Sequence, residues 1–260
     1  MDLVIRNAIT DSGGAPIEVG IQDGLIAAVS AGGLPAGDRE IDAGGGMLSP
    51  ALVETHFHLE NALIWEGALN HSGTLDEAIE VYAAIKRDMP IDDIVRRASI
   101  ALRSAIGHGV QWFRSHVDID RVGQLRLLAG NVAVRDRFRD YIDLQLIAFP
   151  QMGMARDPEV SDLMWQAMES GADVVGGMPH AERDMDDAAR HIEIAFEIAR
   201  AYNADIDMHI DETDDPAWHS LELLAEQTIA NGWQGRVTAG HCAAVPPWDG
   251  TPAARRNAQG

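Results

Sequence analysis

Short apolar runs separated by turn residues characterise the first 48 positions of the chain. Residues 3–5, 17–21 and 25–29 are apolar or alternate between apolar and polar side chains, and glycine-containing turns lie between them. Alternation of this length, bounded by glycine, is typical of antiparallel strands. Because so few strands cannot form two packed sheets, we expect this small β unit to require strands from elsewhere.

From residue 47 the pattern changes to alternating strands and helices. Apolar positions recur at helical spacing over residues 91–106 and 188–202, which predicts helices there. Repeated β–α units indicate a parallel sheet that is covered by helices on its outside. The predicted strands are residues 49–55, 110–116, 142–148, 173–177, 204–210 and 236–240.

Two Asp-Pro steps in this region predict helix starts. Asp157 precedes Pro158, and Asp215 precedes Pro216. An aspartate side chain caps the first free N–H groups of a helix, and proline fits the first helical position. We therefore expect one helix to begin at Pro158 and another at residues 214–216.

The number of predicted strands is smaller than a closed barrel requires. Six strand starts lie between residues 49 and 236, whereas a (β/α)8 barrel has eight. No strand is predicted in residues 246–260, which we interpret as an irregular tail. Residues 49–245 are therefore either a six-unit open α/β fold or the first six units of an incomplete (β/α)8 TIM-like barrel.

Composition places the chain among ordinary globular proteins, with 46% hydrophobic and 23% charged residues. The net charge of −21 repels phosphate backbones and anionic lipids, so neither nucleic acid nor a membrane is expected as a partner. The single cysteine, Cys242, excludes an internal disulfide and a cysteine-rich zinc site. Without a long apolar run or a signal-peptide layout at the start, the expected location is the cytoplasm.

A His-x-His motif follows the first strand of the β–α region. Side chains two positions apart on a strand point to the same face, so His56 and His58 can contact one metal ion. Imidazole is a common ligand of zinc and also suits iron. Two unrelated histidines are the alternative that this motif alone leaves open. Its position favours the metal site, because active sites of β/α barrels lie at the C-terminal ends of strands.

Other predicted strands of the region also end in histidine. Because the C-terminal ends of parallel strands meet at one end of a barrel, these side chains are expected to converge with the His-x-His motif. A structural histidine is the alternative for any single one of them. Together they indicate a metal site at the mouth of a barrel. They are His116, His180, His209 and His241.

Seven short stretches, most of them at predicted strand ends, together form a pattern that is typical of one protein family. They are His56-Phe57-His58-Leu59, Asn70-His71-Ser72-Gly73-Thr74-Leu75, Arg114-Ser115-His116-Val117-Asp118, Phe149-Pro150-Gln151, Met178-Pro179-His180, His209-Ile210-Asp211-Glu212 and Gly240-His241. The set resembles the cytosine deaminase branch of the amidohydrolase superfamily, metal-dependent hydrolases built on a distorted (β/α)8 barrel with a flanking β-sandwich. The resemblance implies that residues 1–48 form part of that sandwich subdomain and residues 49–245 form barrel units 1–6.

The resemblance also implies a metal cofactor and a reaction. His56, His58 and His209 match the ligands of a single divalent metal ion, Zn²⁺ or Fe²⁺. The implied reaction is the deamination of a small nitrogen heterocycle, with that small molecule as the partner. The oligomeric state stays open, although a homo-oligomer is frequent among related enzymes.

Three further residues match catalytic or substrate-binding positions of the family. Glu212 matches the acid that transfers a proton to the ring nitrogen beside the attacked carbon. His241 matches the histidine that holds the hydrolytic water, and Gln151 matches the amide that hydrogen-bonds the carbonyl edge of the substrate. The alternative for Glu212 is a carboxylate at a helix N-terminus, where the helix dipole would stabilise it.

Two alternatives to a cytosine deaminase-like activity remain at this point. The family carries an aspartate at the end of its eighth strand, and no residue of this sequence matches it. The chain could therefore be a truncated fragment that does not catalyse the reaction. The branch also includes enzymes that remove alkylamino groups from triazine rings, which is the second alternative.

Overall fold

The computed structural model describes residues 1–10, 14–64 and 69–244. The chain divides between Ala51 and Leu52 into two compact units. The domain assignment of residues 1–48 and 49–245 stays a prediction. The predicted tail, residues 246–260, lies outside the described residues.

The first unit is a four-stranded sheet. Its strands are β1 (Leu3–Ala8), β2 (Ile17–Gln22), β3 (Leu25–Ser30) and β4 (Arg39–Asp42), and their order in the sheet is β3-β2-β1-β4. As predicted, β1 pairs with β2 and β2 with β3 in antiparallel fashion, and Asp23 and Gly24 both have the positive φ angles of a tight hairpin turn. A fourth strand, which was not predicted, pairs in parallel with β1. It has only one apolar residue, Ile41, and therefore lacks an alternating pattern.

Six parallel strands form a curled sheet in the second unit. Each strand lies beside its sequence neighbour, and the curl gives the sheet the form of an incomplete TIM-like barrel. The predicted fold class is therefore confirmed, and every predicted strand is present with bounds that differ by three residues or fewer. The strands are β5 (Leu52–Phe57), β6 (Val110–Asp118), β7 (Asp143–Phe149), β8 (Val174–Gly177), β9 (Asp205–Ile210) and β10 (Val237–His241).

Helices connect these strands and cover one face of the sheet. They are α1 (Leu75–Lys86), α2 (Ile91–Gly107), α3 (Arg126–Phe138), α4 (Pro158–Glu169), α5 (Met185–Tyr202) and α6 (Ser220–Asn231). Ile94 of α2, Leu128 of α3 and Ile192 of α5 are fully buried, and they share one hydrophobic core with Leu146 of β7 and Ile206 of β9. Within the described part of the chain, no helix combines the length and the apolar character that a membrane crossing needs.

One of the two predicted helix starts is correct and the other is wrong. The Asp157 side chain accepts a hydrogen bond from the Glu159 N–H, and Pro158 is the first residue of α4. Residues 214–216 do not begin a helix, because the Asp215 carboxylate instead closes a local turn with the Ala217 N–H. The helix α6 begins only at Ser220.

Candidate active site

Three histidines from two separated strands meet at the C-terminal end of the sheet. His56 lies on β5, His58 follows that strand, and His209 lies on β9. Although three strands separate β5 from β9 in the sheet order, the curl brings the His58 Nε2 and His209 Nε2 atoms within 3.3 Å. The ring centroids of His56 and His209 are 4.6 Å apart, and potential ligand atoms of all three lie within 4.8 Å of one another.

The environment keeps these imidazoles in the neutral form that binds metals. Burial, together with repulsion from neighbouring His116 and His241, lowers the pKa of His56 to about 4. Burial also holds the pKa values of His58 and His209 well below the usual range, with added repulsion from the other histidines. Neutral imidazole is the ligand form of histidine, so no deprotonation would be needed at neutral pH.

The residues present fit a divalent metal ion. The Nδ1 atoms of His58 and His209 are buried and have no hydrogen-bond partner among the described residues. An unpartnered buried polar group is costly, and several converging imidazole nitrogens form a donor set that suits zinc or iron. His56, His58 and His209 are therefore the residues that could hold the ion.

An acid and a fourth histidine lie beside this cluster. The Glu212 Oε1 atom is 3.4 Å from His241 Nδ1, and potential ligand atoms of these two residues lie within 4.8 Å of one in His209. Burial raises the pKa of Glu212, so its carboxyl group is protonated in a larger fraction of molecules than that of a solvent-exposed glutamate would be. Burial lowers the pKa of His241, which favours a neutral, hydrogen-bond-accepting ring.

All six predicted site residues line one cavity of about 290 Å³. Gln151, which follows β7, contributes a buried Oε1 atom that has no partner among the described residues. An acceptor left free in this way is suited to a donor on a bound ligand. The six are His56, His58, Gln151, His209, Glu212 and His241.

The backbone at the ends of β9 and β10 is strained where the site is built. Asp211 has a φ angle of 48° and His241 one of 63°, both in the left-handed region that β-carbon-bearing residues rarely adopt. The Cys242 N–H donates to the Ile210 carbonyl at 2.8 Å, which ties the two strand ends together. Strain of this kind persists only where surrounding contacts hold it, and it is common at functional sites.

From its position at a strand end, His116 was expected to converge with the histidine cluster, but two other residues near the cluster, Asp207 and Phe149, were not singled out from the sequence. His116 is fully buried, with its ring centroid 4.3 Å from that of His56. The Asp207 Oδ1 atom lies 3.4 Å from His116 Nε2. The Phe149 ring stacks on that of His209, with the ring centroids 4.1 Å apart. The sequence did contain a signal for Asp207. It lies two positions before His209 on the same buried strand, and alternate positions of a strand face the same side.

A buried group of charges lies next to His58. Lys86 forms ion pairs with Asp118, at 2.7 Å, and with Asp120. Burial alone would lower the pKa of Lys86, but the two aspartates raise it above its usual value. Glu60, also buried, accepts a hydrogen bond from the Asp118 N–H at 3.0 Å, and burial, with repulsion from Asp118, raises its pKa to about 8.

The Asn70–Leu75 motif has a structural role. The Thr74 side chain accepts from the Glu77 N–H at 3.3 Å, and the Glu77 carboxylate accepts from the His71 N–H at 3.0 Å. This arrangement resembles a capping box, in which a threonine and an acid three residues later satisfy free N–H groups at a helix start. The motif thus fixes the beginning of α1, and four residues of this helix line the cavity: Leu75, Ala78, Ile79 and Tyr82.

A solved structure is similar to this chain over nearly its whole length. It is 5-methylcytosine deaminase from Klebsiella pneumoniae, liganded with 5-fluorocytosine, with a TM-score of 0.90 and 35% sequence identity. The match covers 98% of this chain and 63% of the solved one. No family model matches the chain.

Curated relatives are similar at the level of sequence. The chain is 30% identical over 245 residues to N-isopropylammelide isopropyl amidohydrolase from Pseudomonas sp. strain ADP, which covers 92% of this chain and 60% of the relative. It is 31% identical over 245 residues to pterin deaminase from Rhizobium rhizogenes strain K84, covering 91% of this chain and 54% of the relative. The chain thus spans just over half of the length of these relatives.

Proposed function

We propose, from the premise that this chain belongs to the amidohydrolase superfamily, that it carries the metal-binding and substrate-binding residues of a heterocycle deaminase. The reaction would be hydrolysis of an exocyclic C–N bond on a small nitrogen heterocycle. The observation that carries the proposal is the placement of Glu212 and His241, 3.4 Å apart, beside the neutral cluster of His56, His58 and His209.

The metal would be held by these three histidines. When bound, a divalent cation supplies Lewis acidity, which lowers the pKa of a water molecule from 15.7 towards about 7. We favour Zn²⁺ or Fe²⁺, because imidazole donors suit both ions.

The protein groups beside the cluster account for the proton transfers. The water oxygen forms a bond to the ring carbon that bears the amino group. One water proton is transferred through a Glu212 carboxylate oxygen to the adjacent ring nitrogen, and the other reaches the leaving amine. The C–N bond then breaks, ammonia leaves, and the ring carbon keeps the oxygen as a carbonyl. A positioned acid–base group of this kind contributes about 10²- to 10⁴-fold to the rate.

His241 and Gln151 would orient the reactants. Neutral His241 can accept a hydrogen bond from the attacking water, next to Glu212 at 3.4 Å. The Gln151 amide lies on the same cavity, and it would hold the edge of the ring that carries a carbonyl and an N–H group. Both residues thereby align the water with the ring carbon, which lowers the entropic part of the barrier.

A second candidate reaction is the removal of an alkylamino group from a triazine ring. The observation that favours it is the 30% identity to N-isopropylammelide isopropyl amidohydrolase. The same residues would act, since only the leaving amine differs. The cytoplasmic location and a homo-oligomeric state stay predictions.

The test is a product assay on the purified, metal-loaded chain. Ammonia release is measured with cytosine, 5-methylcytosine and pterin, and isopropylamine release with N-isopropylammelide. We expect ammonia release that a chelator abolishes and that Zn²⁺ or Fe²⁺ restores. Isopropylamine release alone would favour the second reaction. Tight binding of metal without any product would contradict the proposed activity of this chain.

A further inference from the structure

His180 is a polar side chain near the site whose hydrogen-bonding groups are unused. Both of its ring nitrogens are buried and have no partner among the described residues. Burial lowers the pKa of His180 to about 4, so the ring is neutral and offers one donor and one acceptor. Leaving a buried polar group unpaired costs about 1–3 kcal/mol, so this arrangement suits a residue that contacts a ligand.

The turn that carries His180 is held rigidly. The buried Glu182 carboxylate accepts from the Met154 N–H at 2.7 Å and the Ala155 N–H at 2.9 Å, and it pairs with His191 Nδ1 at 2.7 Å. The His191 Nε2 atom accepts from the Met178 N–H at 3.1 Å, so the proton of this ring is on Nδ1. Hydrogen bonds therefore fix the turn on both sides of His180, and they also fix the loop that follows Gln151.

His180 faces an outer cavity that adjoins the one at the histidine cluster. The outer cavity has a volume of about 820 Å³, compared with about 290 Å³ for the inner one. Both are lined by Leu75, Ile79, Gln151 and Glu212, so they meet at the predicted substrate-binding residues. Sites for small ligands have volumes of about 300–1,000 Å³. The inner cavity alone is therefore at the small end of this range.

We infer that His180 is a specificity-determining residue that hydrogen-bonds a polar atom of the substrate beyond the ring that is hydrolysed. The inference rests on the proposed function and refines its substrate class: a heterocycle extended by a second, polar ring or substituent binds better than a single ring. The inner cavity holds the ring that reacts at Glu212 and the histidines. The outer cavity holds the extension, which supplies the hydrogen-bond partner that His180 lacks.

The test compares the binding of two product-like compounds that cannot lose an amine. Uracil represents the single ring, and pteridine-2,4-dione represents the extended one. Dissociation constants are measured by calorimetry with the metal-loaded chain and with His180→Leu, His180→Gln and His108→Leu. His180→Gln keeps a donor and an acceptor, and His108 is an exposed histidine at the end of α2.

We expect His180→Leu to weaken pteridine-2,4-dione binding by roughly 10- to 100-fold, the equivalent of one lost hydrogen bond. Uracil binding should change by less than about twofold, His180→Gln should recover part of the loss, and His108→Leu should match the parent chain. An equal loss for both compounds, or no loss for either, would overturn the inference while leaving the deaminase proposal intact. Failure of the parent to bind either compound would count against the proposed function itself.

Discussion

The carboxylate of Asp211 caps α6 through Ser220. Its Oδ1 atom accepts from the Ser220 hydroxyl at 2.6 Å and from the Ser220 N–H at 3.0 Å, while Oδ2 accepts from the Leu221 N–H at 3.1 Å. Glu212, the next residue, lies on the cavity instead. The alternative in which Glu212 is a helix-terminal carboxylate is therefore wrong, because Asp211 occupies that role.

Asp211→Ala should lower the free energy of unfolding by about 1–3 kcal/mol. It removes the cap and leaves Ser220 without its buried acceptor, and alanine tolerates the positive φ angle of 48° less well than aspartate. Asp211→Asn keeps one side-chain oxygen and a residue that tolerates this conformation, so its loss should be smaller. Urea denaturation of the two variants measures the difference, and equal losses would contradict the capping role.

Glu212→Gln should abolish most of the turnover without affecting metal content. An amide has the shape of the acid but cannot deliver a proton, so we expect a decrease in kcat of roughly 10²- to 10⁴-fold. Glu222→Gln, the same change at an exposed position in the first turn of α6, is the control. Near-normal turnover in Glu212→Gln, or loss of metal from it, would rule out the proton-transfer role.

His209→Ala should lose most of the bound metal and all activity that depends on it. The substitution removes one of three converging imidazoles, and a site of two is much weaker. Elemental analysis after dialysis should give roughly one ion per chain for the parent and far less for the variant. His71→Ala, at an exposed histidine in the loop before α1, should retain the ion. Retention in His209→Ala would show that this residue is not a ligand.

Glu182→Gln should change how stability depends on acid pH. Burial opposes ionisation of Glu182, but hydrogen bonds from His191, Ala155 and Met154 outweigh it and hold its pKa below the usual value. A folded-state pKa below the unfolded value stabilises the protein above about pH 4.3, and the contribution is lost as the pH falls through the folded pKa.

The variant should therefore be less stable at pH 7 by about 1–3 kcal/mol and lose less stability than the parent on acidification below about pH 4. Thermal unfolding from pH 7 to pH 3 checks both. Glu193→Gln, on the exposed face of α5, is the matched control. Parallel pH curves for Glu182→Gln and the parent would contradict an ionised Glu182 in the folded chain.

The sequence by itself determined the order and type of the elements in the β–α region. Apolar runs of four to eight residues and the 3.6-residue spacing report local burial, which is a property of each segment. The strands from β5 to β10 and the helices α2 and α5 could therefore be predicted. The start of α4 was also predicted correctly, because both residues that define it, Asp157 and Pro158, are neighbours in the sequence.

Local chemistry was insufficient where a distant partner decides the outcome. The Asp214-Asp215-Pro216 run has the composition of a helix start, yet the cap is Asp211, whose backbone turns with a positive φ angle at the end of β9. β4 forms because β1 offers it a free edge in parallel, and nothing in its four residues encodes that pairing.

The site divides in the same way between sequence and tertiary structure. Strand-end position predicted that His56, His58 and His209 would face one end of a sheet, because parallel strands share a direction. Only the curl of the six strands brings β5 and β9 close enough for the 3.3 Å approach of His58 and His209. The depressed pKa values, the strained turns at Asp211 and His241 and the unpaired nitrogens of His180 likewise arise from burial and packing, which no single segment specifies.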